Sequence, residues 1–177
     1  MKKNGFAKWT SMGLMGAAAS VAGQNLGAGH PDRTNAAVHV AARFGMIGSA
    51  FIGFFFFFFP QQILAIFGMT DPAVAEIGTQ LLRVLAFSGI FISVALTYTG
   101  GLQGTGDTKG PLYISIISQV IVPLSICFVI KQFGALEPIH IWLAILAGHI
   151  TRCALSIFRF NQGKWRNIVV NIEPTEG

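Results

Sequence analysis

The chain has 177 residues, of which 53% are hydrophobic and 11% charged, with a mean hydropathy of +0.62. Soluble domains carry roughly 25% charged residues, so an ordinary soluble fold is excluded, and so much apolar surface, with 16 Phe, excludes disorder as well. What is left is an integral membrane protein, and at about 20 apolar residues per span the length holds at most about five or six crossings. A net charge of +5 would suit nucleic acid, but the 12 Lys and Arg are scattered singly, without interleaved aromatics. They read as anchors flanking the spans, with the lipid bilayer and not nucleic acid as the surroundings.

The apolar stretches run from about Trp9 to Leu26, Ala36 to Phe59, Ile77 to Leu102, Leu112 to Ile130 and Ile139 to Phe158. Each is long enough to cross about 30 Å of hydrocarbon at about 1.5 Å per residue. None alternates apolar with polar at period two, so helices are predicted and not barrel strands. The expected fold class is all-α, a polytopic membrane bundle of about five transmembrane helices in one unit over 1–177, ending in a short basic tail over 159–177.

The breaks carry helix punctuation. The run Gly27-Ala28-Gly29-His30-Pro31-Asp32 ends the first helix. Asp71 is placed to cap the third helix with Pro72 at its first position and Glu76 in its first turn. The glycine-rich turn from Gly104 to Pro111 opens the fourth, with Asp107 and Thr108 satisfying its amides. Ala19, Gly23 and Gly27 form a stripe at four-residue spacing that permits close approach of a second helix.

Five spans put the N-terminus and the 60–75 and 132–138 loops on one side, and the 27–35 and 103–110 loops and the C-tail on the other. The first side holds Lys2, Lys3, Lys8, Arg83 and Lys131; the second holds Arg33, Arg43, Lys109, Arg152, Arg159, Lys164 and Arg166. Without the three N-terminal lysines the count is two against seven, which puts the C-tail in the cytoplasm and the protein in the plasma (inner) membrane. Two readings explain the discordant start: a signal peptide running to Ser20-Val21-Ala22, or a chain that is a piece of a longer protein. Truncation is preferred.

Three stretches together resemble the multidrug and toxic compound extrusion (MATE) family. Ala22-Gly23-Gln24-Asn25-Leu26-Gly27-Ala28-Gly29 is similar to the family's Gly-Gln-x-Leu-Gly-Ala-Gly turn. The succession from Asp71-Pro72 through Leu82-Arg83-Val84 to Leu102-Gln103-Gly104-Thr105-Gly106-Asp107-Thr108 is similar to its Asp-Pro, Leu-Arg-Ile and Leu-Gln-Gly-x-Gly-Asp-Thr. The basic segment from Phe160 to Arg166 resembles the family's C-terminal end. A signal-peptide cut before Gly23 would fall inside the first of these turns.

The resemblance implies a secondary active transporter that expels drugs or organic cations by proton or sodium antiport. It also implies that the chain matches helices eight to twelve of twelve, a C-terminal lobe without its first helix, whose partner is the missing N-terminal lobe and which is expected to be inactive alone. The rival reading is a small, self-sufficient homo-oligomeric channel or membrane scaffold.

Within the spans, Ser115, Ser118 and Gln119 precede Pro123, which removes an amide and predicts a kink. Kinked polar helices tend to face a cavity, so Ser115 and Gln119 are substrate-path candidates with Pro123 as hinge, against the alternative of interhelical glue. Thr97 and Tyr98, near Ser93, pose the same choice on the third helix. The run from Phe54 to Phe59 turns through about 600° and is expected to meet lipid on all sides.

No Asp or Glu falls mid-span, so no coupling carboxylate is evident and its site is expected in the missing part. Arg43, Arg83 and Arg152 are expected to snorkel or to pair with loop acids. His30 and His39, like His140 and His149, stand nine apart and point to opposite faces, so no metal site or cofactor is expected. The glycine-rich turn lacks the Gly-Lys-Ser/Thr ending of a phosphate loop, and no nucleophile has an adjacent base; an enzyme is not expected. Cys127 and Cys153 lie in apolar stretches and read as buried structural thiols.

Overall fold

A computed structural model describes residues 6–69 and 71–168, and every element among them is helical. In chain order these are α1 (Phe6–Gly27), α2 (Pro31–Phe58), α3 (Pro60–Ile66), α4 (Pro72–Gly104), α5 (Lys109–Ile116), a π-helical turn (Ile117–Ile121), α6 (Val122–Phe133), α7 (Pro138–Asn161) and a 3₁₀ turn (Lys164–Asn167). Lys2, Lys3 and the tail beyond 168 lie outside the described residues.

Among the described residues four helices are long and apolar enough to cross a membrane: α2, α4, the continuous run from Lys109 to Phe133, and α7. α1 runs beside them as a fifth long helix of 22 residues, but Gln24 and Asn25 and a high content of Gly and Ala keep it less apolar than the rest.

Proline sets where the helices begin. α2 starts on Pro31, five residues before the expected boundary, because proline's missing N–H costs nothing in a first turn; Asp32 then meets the positive end of the dipole. Proline also ends it: the chain bends at Phe59, and Pro60 opens the short α3, a helix inside the segment 60–75 that was expected to be a loop. At α4 the cap is as expected, Asp71 Oδ1 accepting from the amides of Ala73 at 2.9 Å and Val74 at 3.2 Å. Glu76, however, is the fifth helical residue and lies beyond the first turn.

α4 is the centre of the bundle, packing against α1, α2 and α7. It has 33 residues, about 50 Å of helix, and so outruns a bilayer core of about 30 Å and must tilt or project. Its contact with α1 is backbone on backbone. A Cβ on Gly104 would strike the Ala19 carbonyl, one on Gly100 the Met15 carbonyl, and one on Gly23 would stand 2.8 Å from the Gly104 carbonyl oxygen. The stripe read on α1 is therefore half of a two-sided contact. Ala19 and Gly23 belong to it, but Gly27 does not, since a Cβ there meets nothing within 4 Å.

On the far side, Val38 and Ala42 of α2, Tyr98 and Leu102 of α4, and Cys153 and Phe160 of α7 form the apolar core, closed by Trp165. Cys153 is buried as expected, whereas Cys127 is only half-buried because α6 faces outward along most of its length. The phenylalanine run is exposed, Phe58 by 61% and Phe54 by 51%, as a lipid-facing surface requires.

Replacing Gly104 by Val is expected to push α1 off α4 and lower stability by about 1–3 kcal/mol. Gly16→Ala, where a Cβ meets nothing within 4 Å, should be neutral or raise stability by up to about 1 kcal/mol through helix propensity. Melting temperatures of both variants in one detergent check this; equal effects would contradict the packing.

Candidate functional site

The polar residues singled out from sequence fall into three places. The first is the turn between α4 and α5. Thr105 and Asp107 are buried here while Gln103, Gly106 and Thr108 are exposed. Gly106 has φ +91°, a left-handed conformation that glycine adopts without strain, as does Gly29 at φ +76° in the turn after α1. Gln24 precedes that turn as an exposed residue of α1.

Asp107 holds the α4–α5 turn together. Its Oδ1 accepts from the Gly110 amide at 3.0 Å, and its Oδ2 accepts from Arg159 Nε at 2.8 Å. Thr108, expected to share in the capping, stands at the N-cap position without a side-chain bond, and the Gly110 amide is taken by Asp107. Arg159 was not legible as a partner, being 52 residues away in sequence. A second pair, Arg166 to Asp32 at 3.2 Å, ties the segment after α7 to the start of α2. The two ion pairs bring the 27–35 turn, the 105–108 turn and the segment after α7 to one end of the bundle.

The second place lies between α2, α4 and α7. Thr97 is fully buried and donates to the Ser93 carbonyl at 2.9 Å. Tyr98, one residue on, shares a 2.7 Å hydrogen bond with His39 Nδ1. The His39, Tyr98 and Phe160 rings meet edge to face at centroid separations of 5.4–5.8 Å. Phe160 stacks on Trp165, whose Nε1–H donates back to the Phe160 carbonyl at 2.8 Å. The partner of His39 is the Tyr98 hydroxyl on another helix, 59 residues away in sequence.

The third place is the π turn and the face of α7 opposite it. Ser115 is half-buried, Ser118 is buried and donates to the Ile114 carbonyl at 2.6 Å, and Gln119 is exposed. The Gln119 amide Nε2 reaches His149 Nδ1 of α7 at 3.3 Å. Pro123 does not break the helix. The turn ahead of it widens to the π register instead, a recognised way of absorbing a missing N–H. In that register the carbonyl deprived of a donor by Pro123 is that of Ser118, five residues back. Gly148 of α7 is seated on it so closely that a Cβ there would strike the oxygen.

Thr97 and Tyr98 are thus not joined to Ser115 and Gln119 by any hydrogen bond among the described residues. An open groove of about 540 Å³ between α3 and the start of α4, lined by Gln61, Glu76, Gln80 and Arg83 among others, includes none of the four. Of the three intramembrane arginines, none pairs with a carboxylate among the described residues; Arg83 lies 5.8 Å over the Phe57 ring.

The sequence profile of the MatE family matches residues 4–129, which includes the α1–α2 turn, α4 and the Asp107 turn. The chain belongs to the MatE family. It is 26% identical over 160 residues to a probable multidrug resistance protein NorM of Thermotoga maritima, an alignment covering 90% of this chain and 34% of that protein. A probable multidrug resistance protein NorM of Acinetobacter baylyi is 30% identical over 98 residues, 55% of this chain and 22% of its own. Protein DETOXIFICATION 21 of Arabidopsis thaliana is 25% identical over 155 residues, 87% and 31% respectively. The chain therefore spans about a third or less of the length of these relatives. No solved structure matches it. MatE proteins are membrane transporters and not enzymes, so at family level this is a multi-pass membrane protein of a transport family.

Asp107→Ala is expected to cost more than Arg159→Ala, because it also strips the Gly110 amide of its acceptor; about 1–3 kcal/mol is expected for the unsatisfied group. A double-mutant cycle on melting temperature should show coupling between the two sites, and simple additivity would show that the pair contributes nothing.

Proposed function

We propose that this chain is the C-terminal part of a MATE-type exporter of drugs or organic cations, driven by proton or sodium antiport, and that it works only beside an N-terminal lobe. What carries the reading is the match of this chain, over 85% or more of its length, to about a third of proteins named for multidrug resistance. The distribution of charge supports the dependence on a second lobe. The acids among the described residues, Asp32, Asp71, Glu76, Asp107 and Glu137, all stand in turns or near helix starts. Antiport needs a group that binds the coupling ion within the membrane, and in this reading the absent lobe supplies it.

The substrate path would run along the α4 and α5–α6 faces that carry Thr97, Tyr98, Ser115 and Gln119. The π turn ahead of Pro123 would serve as hinge, since a widened turn changes register more readily than a regular helix. In the plasma membrane the end of the bundle joined by the two ion pairs would face the cytoplasm, because Arg33, Lys109, Arg159, Lys164 and Arg166 gather there.

Reconstituted alone in vesicles under an imposed proton or sodium gradient, the chain is expected to show no uphill accumulation of a cationic dye above empty vesicles. Accumulation by the isolated chain would overturn the dependence on a second lobe. For orientation, a reporter fused after Gly177 should be active in the cytoplasm; activity only on the outer side would reverse the topology.

A further inference from the structure

α7 carries a polar stripe in which two members hold a buried polar atom without a partner among the described residues. His149, Arg152, Ser156 and Arg159 fall within about 80° of one another at 100° per residue. The outer member, Arg159, is neutralised by Asp107, and His149 is met by the Gln119 amide. Between them Arg152 Nε is sealed from the surface and has no hydrogen-bond acceptor. Ser156, one turn further on and fully buried, has a hydroxyl without a partner. Arg152 stands nine residues before the end of α7, about 14 Å deep along the helix. A guanidinium at that depth is costly unless it snorkels or finds a partner, and among the described residues no carboxylate lies within ion-pair distance of it.

We propose that Arg152, flanked by His149 and the Gln119 amide, is a binding site for a carboxylate brought from outside this chain. The planar guanidinium fork matches a carboxylate in a way that a spherical ion does not. The depth in the bundle removes the site from the lipid headgroups. Arg152 as a whole is only half-buried, so its outer nitrogens are reachable while Nε is sealed. Gly148 keeps this stretch of α7 against the π turn, which holds Gln119 beside the stripe. The carboxylate has two possible sources, a solute entering the bundle or an acidic side chain of a complementary lobe.

The test is binding by the full chain purified in detergent, read as melting temperature, so it stands or falls independently of transport. Sodium benzoate, titrated at constant ionic strength with sodium chloride, should raise the melting temperature saturably, and the neutral isostere benzamide should not. Arg152→Gln should weaken the response by about tenfold or more, as expected for loss of a charged hydrogen-bond partner. Arg152→Lys, which keeps the charge and loses the fork, should fall between the two, so the site remains testable if the glutamine variant does not fold. Arg83→Gln, at an exposed arginine, should respond as the unaltered chain does. No benzoate response, an equal response to benzamide, or an undiminished response in either Arg152 variant would overturn the proposal. Addition of an N-terminal half from a longer relative distinguishes the sources: a suppressed response assigns the carboxylate to that half, and a retained one assigns it to a solute.

Discussion

The backbone contact between α1 and α4 is the constraint on which the rest of the bundle depends. Within a bilayer apolar side chains gain little by leaving lipid for protein, so helices associate through close packing and polar contacts. Gly100 and Gly104 remove the side chains that would hold α1 away, and Ala19 and Gly23 answer from the other helix. With α1 against that face, α2 and α7 are left the opposite faces of α4, where Val38 and Phe160 crowd Gly101. The core of Tyr98, Leu102, Cys153 and Phe160 forms as a result.

A second close approach repeats the device on a different pair of helices. Gly148 on α7 meets the Ser118 carbonyl at the π turn, and Pro123 packs against the same glycine, 3.0 Å from where its Cβ would stand. Proline deprives a carbonyl of its donor, the wider turn displaces the groups around it, and glycine lets the neighbouring helix cover the result. The polar residues here, Ser118, Gln119 and His149, are thereby placed on the contact between the π turn and α7. By contrast Asp107 and Arg159 lie where loops converge, and their pairing ties the α4–α5 turn to the end of α7.

The electrostatics of the bundle are one-sided. Its described carboxylates sit in turns and near helix starts, several of them engaged by an amide or a guanidinium, while Arg43, Arg83, Arg152, His39 and His149 lie within the long helices. Cationic side chains within the spans are an unusual condition in hydrocarbon.

Composition and punctuation alone determined the class of protein, the helices and most of their order, because in a bilayer a span must be apolar and helical whatever its neighbours are. The Asp71-Pro72 cap and the glycine-rich breaks after α1 and α4 were equally legible, being local chemistry within a few residues. Tertiary structure decided the remainder. α3 stands in the segment expected as a loop, since its seven residues are too few to show an apolar run of their own. The π turn was not visible because a missing amide can be absorbed by a kink or by a wider turn, and packing against Gly148 selects between them. Arg159 with Asp107, His39 with Tyr98, and Gln119 with His149 are partners 52, 59 and 30 residues apart. No periodicity relates such positions, and only the crossing of helices at glycine contacts brings them within hydrogen-bond reach.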